Sequence, residues 1–331
     1  MYPTAPHVVR LFMFTPRSRQ ILIAVLALAL PHRPFAAFGS DPVVPGTGTK
    51  IAKVGDDFED VNWQFEHRHP KSSQELDDQP RLPPGEARNL RWYEGIKRGH
   101  PDVVRRVPTP EGGLAGSQGS LMLQSLRTGI PGRITNRLQQ DDLIADVNYR
   151  LGGAIPVSHC PSVVVRVFLP PVAEWENRSG PHFAFRLAAD TYQGGKAETI
   201  WPGMFIVFDS QSTRSGPAQD YAHFRLRANR QGDDYRSQSI TQTGWWTLGL
   251  SLTPDGRIHY YASPGVDALT SADYLGSDTP FGTRCQSFKT FFFNVCNLDD
   301  GRSWSTQWII DDPTVYYIPV ETAAASGSPR R

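Results

Sequence analysis

The chain has 331 residues, of which 39% are apolar and 11% aromatic, enough for a sizeable core. Its 34 basic and 33 acidic side chains leave a net charge of +1, which excludes a surface built as a whole for nucleic acid. Any preference for anions must come from a local cluster, and the 29 Gly and 28 Pro suit many short strands joined by turns.

Residues 1–39 read as a signal peptide. Arg17 and Arg19 precede the apolar run Ile21–Leu30, and Ala37-Phe38-Gly39 forms a small-x-small site before Ser40. The run is too short to span a bilayer as a helix. The mature chain is therefore expected to have no integral membrane domain and to be secreted or held in the cell envelope; the alternative is an uncleaved anchor. Met13, just upstream of the arginines, is a second candidate start beside Met1.

Residues 40–53 are rich in Pro, Gly and Thr and read as a linker. A single domain is expected over 54–320, with a disordered tail at 321–331. Residues 64–119 hold few apolar runs and read as long excursions, with a short element near Leu90–Gly95 and a strand near Val103–Val107. From Ser120 the strand signal becomes regular: Leu121–Leu126, Ser162–Leu169, His182–Ala189, Gly203–Phe208, Tyr221–Ala228, Trp245–Leu252, Arg257–Ala262, Thr290–Cys296 and Gln307–Tyr317. Each is short, rich in β-branched or aromatic residues, and bounded by Gly, Pro, Asn or Asp. Asp255-Gly256 reads as a hairpin turn. So many strands without intervening helices predict an all-β fold, an antiparallel two-sheet β-sandwich of the jelly-roll kind.

Three cysteines, Cys160, Cys285 and Cys296, allow one disulfide in an exported chain; Cys285 and Cys296 are near enough in sequence to staple a hairpin. No Cys/His spacing for zinc occurs. No motif requires a cofactor.

Four segments carry a family resemblance: VGDDFEDVNW (Val54–Trp63), GSLML (Gly119–Leu123), the stretch Trp246–Tyr261, and WIIDDPTVYY (Trp308–Tyr317). Together they resemble secreted jelly-roll modules of the concanavalin A-like lectin/glucanase type and related carbohydrate-binding modules. The resemblance implies a sandwich whose first and last strands lie side by side, and a glycan partner. It implies no catalytic residue. Several such modules carry a structural calcium where those strands meet. Asp57, Glu59 and Asp311, with Asp56, Asp60 and Asp312 nearby, are the candidate oxygen ligands.

Strand alternation marks a second group. In YAHFRLRA, Tyr221, His223, Arg225 and Arg227 share one face and Ala222, Phe224, Leu226 and Ala228 the other. His182 and Arg186 share a face in HFAFRLA, Arg166 stands alone in VVVRVFL, His259 and Tyr261 alternate in RIHYYA, and Asn294 lies in TFFFNVC. Guanidinium groups pair with carboxylates and sulfates, and aromatic faces pack on sugar rings. On one sheet these residues would form a surface for an acidic polysaccharide.

Two other readings stay open. A polysaccharide lyase would use Arg to neutralise a uronate carboxylate and His or Tyr to move a proton. The chain resembles jelly-roll alginate and glucuronan lyases in this residue set, but lacks their R-T-E-L-R and Q-I-H strings. A glycosidase of this fold would need paired carboxylates, and the E-x-D-x-x-E string is absent. A non-catalytic structural or adhesion module of the envelope is the third reading.

Overall fold

The computed structural model describes residues 40–213 and 216–320, so the expected signal peptide and tail lie outside the described residues. The chain forms β1 (Thr49–Lys50), β2 (Phe65–Glu66), β3 (Glu86–Ala87), β4 (Trp92–Glu94), β5 (Val103–Val107), β6 (Ser120–Gln124) and β7 (Gln139–Ala145). It continues through β8 (Ile155–Pro156), β9 (Ser162–Leu169), β10 (Gly180–Gln193), β11 (Lys196–Ile200), β12 (Gly203–Asp209) and β13 (Tyr221–Arg227). The last strands are β14 (Tyr235–Ile240), β15 (Gly244–Leu252), β16 (Ile258–Pro264), β17 (Tyr274–Asp278), β18 (Cys285–Asn297) and β19 (Trp308–Tyr317).

These strands make two antiparallel sheets. One runs β17-β16-β15-β9-β19-β6-β5, with β1 beside β19. The other runs β14-β13-β12-β10-β18-β7-β4-β3-β2, with β11 beside β10 and β8 beside β18. This is the two-sheet jelly-roll sandwich that the strand pattern predicts. Among the described residues no helix is long and apolar enough to cross a membrane.

Alternation explains the layering. Val163, Val165, Val167 and Leu169 of β9 and Trp246, Leu248, Leu250 and Leu252 of β15 point inward from the first sheet. Phe183, Phe185 and Leu187 of β10 and Phe291, Phe293 and Val295 of β18 meet them from the second. Phe183 and Phe185 each stack on Phe293 at 5.7 Å, and Trp308 closes on Phe183 at 5.1 Å. Each such side chain contributes about 1.5–3 kcal/mol by leaving water. Trp245, out of phase with Trp246, faces away from the core and is covered by the Pro110 loop, whose carbonyl accepts its indole N–H at 3.3 Å.

The nine strands expected after Ser120 are present, with ends shifted by a few residues. The strands β7, β11, β14 and β17 were not anticipated. β7 opens Gln-Gln-Asp-Asp and β14 reads YRSQSI, sequences of low strand propensity held by their neighbours' ladders. The hairpin at Asp255-Gly256 is formed, with Gly256 at φ 78° and its N–H on the Thr253 carbonyl at 2.8 Å.

Residues 40–53, read as a linker, run along the first sheet. Ser251 Oγ donates to the Val43 carbonyl at 2.6 Å, Gly46 N–H donates to Ser162 Oγ at 3.2 Å, and Thr49 and Lys50 pair with β19. The stretch supplies sheet hydrogen bonds despite its turn-forming composition. Cys285 and Cys296 do not staple a hairpin; both are free thiols at opposite ends of one strand, β18. Extended backbone sets them roughly 36 Å apart.

One polar cluster is buried at the sandwich end. Lys71 Nζ meets Asp141 at 2.8 Å, Asp102 at 2.9 Å and the Arg127 carbonyl at 2.8 Å. Burial pushes the Asp141 carboxyl up to about 8, against the pull of Lys71.

Candidate functional site

The open face of the second sheet holds a groove of about 1020 Å³. One cross-strand row forms its floor. Glu86 of β3 pairs with Tyr93 of β4, Tyr93 with Ile144 of β7, and Ile144 with Phe292 of β18. Phe292 then pairs with Arg186 of β10, Arg186 with Gly203 of β12, and Gly203 with Arg227 of β13. The next row runs Asp142, Asn294, Ala184, Phe205 and Arg225, ending opposite Arg236. The walls bring in Lys97, Arg98, Trp201 and Phe281.

Arg186 is the centre of this surface. It is 5% exposed, yet no carboxylate lies within ion-pair distance among the described residues. Its Nη2 and Nε donate to the Trp201 carbonyl at 2.6 and 3.1 Å, and its Nη1 to Asn294 Oδ1 at 3.3 Å. The guanidinium lies 5.2 Å from the Phe292 ring and 5.6 Å from the Phe205 ring. Burial, reinforced by the charge of Arg227, pushes its pKa down to about 9. A buried guanidinium held by neutral groups is a ready partner for an incoming anion.

The groups around it are set by the same ladder. Asn294 donates from Nδ2 to Asp142 Oδ1, which fixes its amide so that Oδ1 faces Arg186. Burial lifts Asp142 to about 6, opposed by Arg98 and Arg186. Arg98 Nε bonds Glu75 at 2.6 Å and its Nη1 stands 4.0 Å from Asp142. Lys97 Nζ sits 4.1 Å over the Trp201 ring. Burial, with Asp146 nearby, raises the Tyr93 hydroxyl to about 12.

Six of the residues singled out in the sequence share this face: Arg186, Asn294, Tyr221, His223, Arg225 and Arg227. The last four are placed by β13, whose Ala222, Phe224 and Leu226 face the core. Arg186 and Arg227 line the groove, and Arg227 Nε reaches Asp234 at 3.6 Å. Tyr221 and His223 lie farther along β13. The His223 ring stands 3.2 Å from Asp209, and burial lowers its pKa, with Arg236 pushing the same way.

Four others lie elsewhere. His182 is in the core, fully buried beside Trp175 and Phe208. A register shift between Pro181 and Phe183 inserts it as an extra residue, so its parity no longer assigns its face. Its Nε2 donates to the Arg178 carbonyl at 3.1 Å and its Nδ1 accepts from Thr306 at 2.9 Å. Arg166, His259 and Tyr261 are on the other sheet, on its outer face. Arg166 Nη1 lies 3.4 Å from Asp312, His259 Nε2 meets Thr253 Oγ1 at 2.8 Å, and Tyr261 packs edge-on against Tyr274.

The carboxylates read as calcium ligands are engaged in separate local bonds. Asp57 Oδ1 accepts from Glu59 N–H, Glu59 from the N–H groups of Gln118 and Gly119, and Asp311 from Ser117 Oγ at 2.9 Å. Asp56 Oδ2 accepts from the indoles of Trp63 and Trp92 at 3.0 and 3.1 Å. Among the described residues no three His, Cys, Asp or Glu side chains converge as a metal site.

Tyr93, Asp142, Glu86, Asp146, Lys97, Arg98 and Phe281 were missed. Their signal was weak: β3 and β4 are too short to show a period, and in β7 the adjacent Asp141 and Asp142 go to opposite faces.

No family model matches the chain, and no curated protein matches it in sequence. Solved structures align with it over the sandwich. The marine PL7 alginate lyase of Zobellia galactanivorans is 9% identical over 65% of this chain and 85% of that one, with a TM-score of 0.39. The GH131 β-glucanase catalytic domain of Podospora anserina is 9% identical over 66% and 80%, with a TM-score of 0.38. The Emp46p carbohydrate recognition domain is 9% identical over 82% and 100%, with a TM-score of 0.37.

Proposed function

We propose that the groove binds a glycan carrying an acidic group, and that the buried guanidinium of Arg186, which touches no carboxylate directly, receives that group. The observation that supports this most is the setting of Arg186. Burying a cation with only an indirect carboxylate partner, Asp142 through Asn294, is costly, and an anion arriving from the groove supplies a direct one. Arg227, two strands away on the same row, is the second cation of the site. Trp201, Tyr93, Phe292 and Phe281 offer apolar faces for sugar rings along the groove. The chain is read as exported, and no metal or cofactor enters this reading.

Binding without cleavage is the reading that the arrangement favours. Lyase chemistry needs a proton acceptor beside the carboxylate held by Arg186. His182 and His259 face elsewhere, His223 lies four residues from Arg227 along β13 beside Asp209, and Asp142 is buried under the Asn294 amide. Tyr93 is three strands away, roughly 14 Å by strand spacing. Its hydroxyl, raised to about 12, keeps its proton at neutral pH. Titration of oligosaccharides into the purified protein tests the reading. Acidic oligosaccharides should bind in a salt-sensitive way and lose affinity with Arg186→Ala. Absence of binding across acidic and neutral glycans would favour a structural module, and release of unsaturated products absorbing in the ultraviolet would show a lyase.

A further inference from the structure

The floor of the groove is not uniform in charge. The row that ends in Arg186 and Arg227 begins in Glu86. Beside Glu86, Asp146 also lines the groove, next to Tyr93. Neither Glu86 nor Asp146 forms a direct ion pair among the described residues, and both are partly exposed, although the charge of Arg150 acts on Asp146. Lys289 also lines the groove and is paired with Asp190 at 3.2 Å. Glu75 and Asp142 at this end hold Arg98 between them. At the other end Arg227 has only the longer contact to Asp234 at 3.6 Å, and Lys97 over Trp201 adds a third cation beside Arg186. Four strand spacings separate Glu86 from Arg186, roughly 19 Å, and Asp146 lies two spacings and two residues away, roughly 12 Å. Both exceed the screening length of about 8 Å at physiological salt. Each end therefore sets its own local preference.

A chain with a carboxylate on every sugar suits only half of such a groove. Laid across the strands, it would satisfy Arg186 and Arg227 and then press like charges against Glu86 and Asp146. Free carboxylates suit neutral sugars, whose hydroxyls donate to them. We infer that the groove selects a glycan of sparse charge: one acidic sugar over Arg186 and Arg227, followed by neutral sugars over Tyr93, Glu86 and Asp146. This inference rests on the groove being the glycan site, and it names the substrate class of that site.

Three oligosaccharides of equal length test it by calorimetric titration of the full chain. The first is a neutral xylan backbone bearing one glucuronic acid. The second is the same molecule with its carboxyl reduced to the alcohol. The third is a homopolymeric uronate. The first should bind about tenfold tighter than either of the others. A homouronate that binds as well as the first overturns the inference and leaves the acidic-glycan reading standing. A reduced oligosaccharide that binds as well overturns the role given to Arg186, and with it both readings; so does failure of all three. The double variant Glu86→Gln, Asp146→Asn gives a second readout that does not depend on absolute affinity. Its ratio of homouronate to single-carboxylate binding should rise severalfold, with far-ultraviolet circular dichroism confirming the fold. An unchanged ratio overturns the inference.

Discussion

Gly203 lies directly opposite Arg186 across the β10–β12 ladder, and a Cβ on it would stand 2.5 Å from Arg186 Cγ and 2.5 Å from the Phe185 carbonyl oxygen. The missing side chain is the space in which the arginine folds over β12 to reach the Trp201 carbonyl. Gly203→Ala should therefore displace Arg186 and strain the backbone together. We expect a loss of about 1–3 kcal/mol, as for other overpacked sites, in urea denaturation, and a parallel loss of acidic-glycan affinity in titration. A variant that binds as the parent does would detach Arg186 from its Gly203 support.

Arg186→Met separates binding from folding. The methionine fills much of the same volume between Phe205 and Phe292 and removes a buried charge whose carboxylate partner, Asp142, is reached only through Asn294 and keeps Arg98 nearby. Apolar replacement of buried charge is often neutral or stabilising. The melting temperature should hold or rise while affinity for an acidic oligosaccharide falls at least about tenfold. A large drop in stability would mean that Arg186 is chiefly a structural residue.

Lys71 should behave in the opposite way. Its ammonium serves the buried Asp141 and the partly buried Asp102 together, so Lys71→Met leaves both carboxyl groups without their cation. The expected cost is about 3–5 kcal/mol. Arg88→Met, which removes an exposed contact to Glu66 at 3.4 Å, should cost within about 0.5 kcal/mol. Chemical denaturation of the two variants side by side checks the contrast.

His182 makes folding acid-sensitive. Burial, with Arg178 nearby, lowers its folded pKa from 6.5 to about 3. The unfolded state therefore takes up the proton first, and stability falls as pH drops below 6.5. The loss continues until pH approaches 3 and amounts to roughly 2 kcal/mol between pH 7 and pH 5. His67 and His259, lowered by burial to about 4, act in the same direction, while Asp141, raised to about 8, opposes it most strongly. Asp142 and Asp311 oppose it as well. Burial raises each from 3.8 to about 6, so each favours folding at low pH and loses that contribution as pH rises through 6. His182→Gln should remove its own share, so the change in stability from pH 7 to pH 5, measured by denaturation, should favour folding by roughly 2 kcal/mol more than in the parent. An unchanged slope would assign the acid sensitivity to other groups.

Alternation in the sequence was a reliable guide to faces and a poor one to sheets. For β13 the regular two-residue period placed Tyr221, His223, Arg225 and Arg227 on the open face. Arg166 and His259 also point away from the core, as their parity requires, but from the opposite sheet. Nothing within one strand records which sheet it joins, because that depends on pairing between distant segments. His182 failed for a different reason: a bulge shifts phase by one residue, and a single inserted position is invisible to a period of two. The acidic end of the groove was hidden because β3 and β4 together contribute five residues, too few for any pattern.

The row from Glu86 to Arg227 also has a sense of direction. A chain molecule lying along it meets anionic side chains first and cationic ones last, and the reversed chain meets them in the other order. If the groove holds a glycan as proposed, a polysaccharide whose two ends differ would have one preferred heading across the sheet. Where a long polymer carries its rare acidic sugars at irregular intervals, each occupied groove would mark one such sugar and the polarity of the strand that bears it.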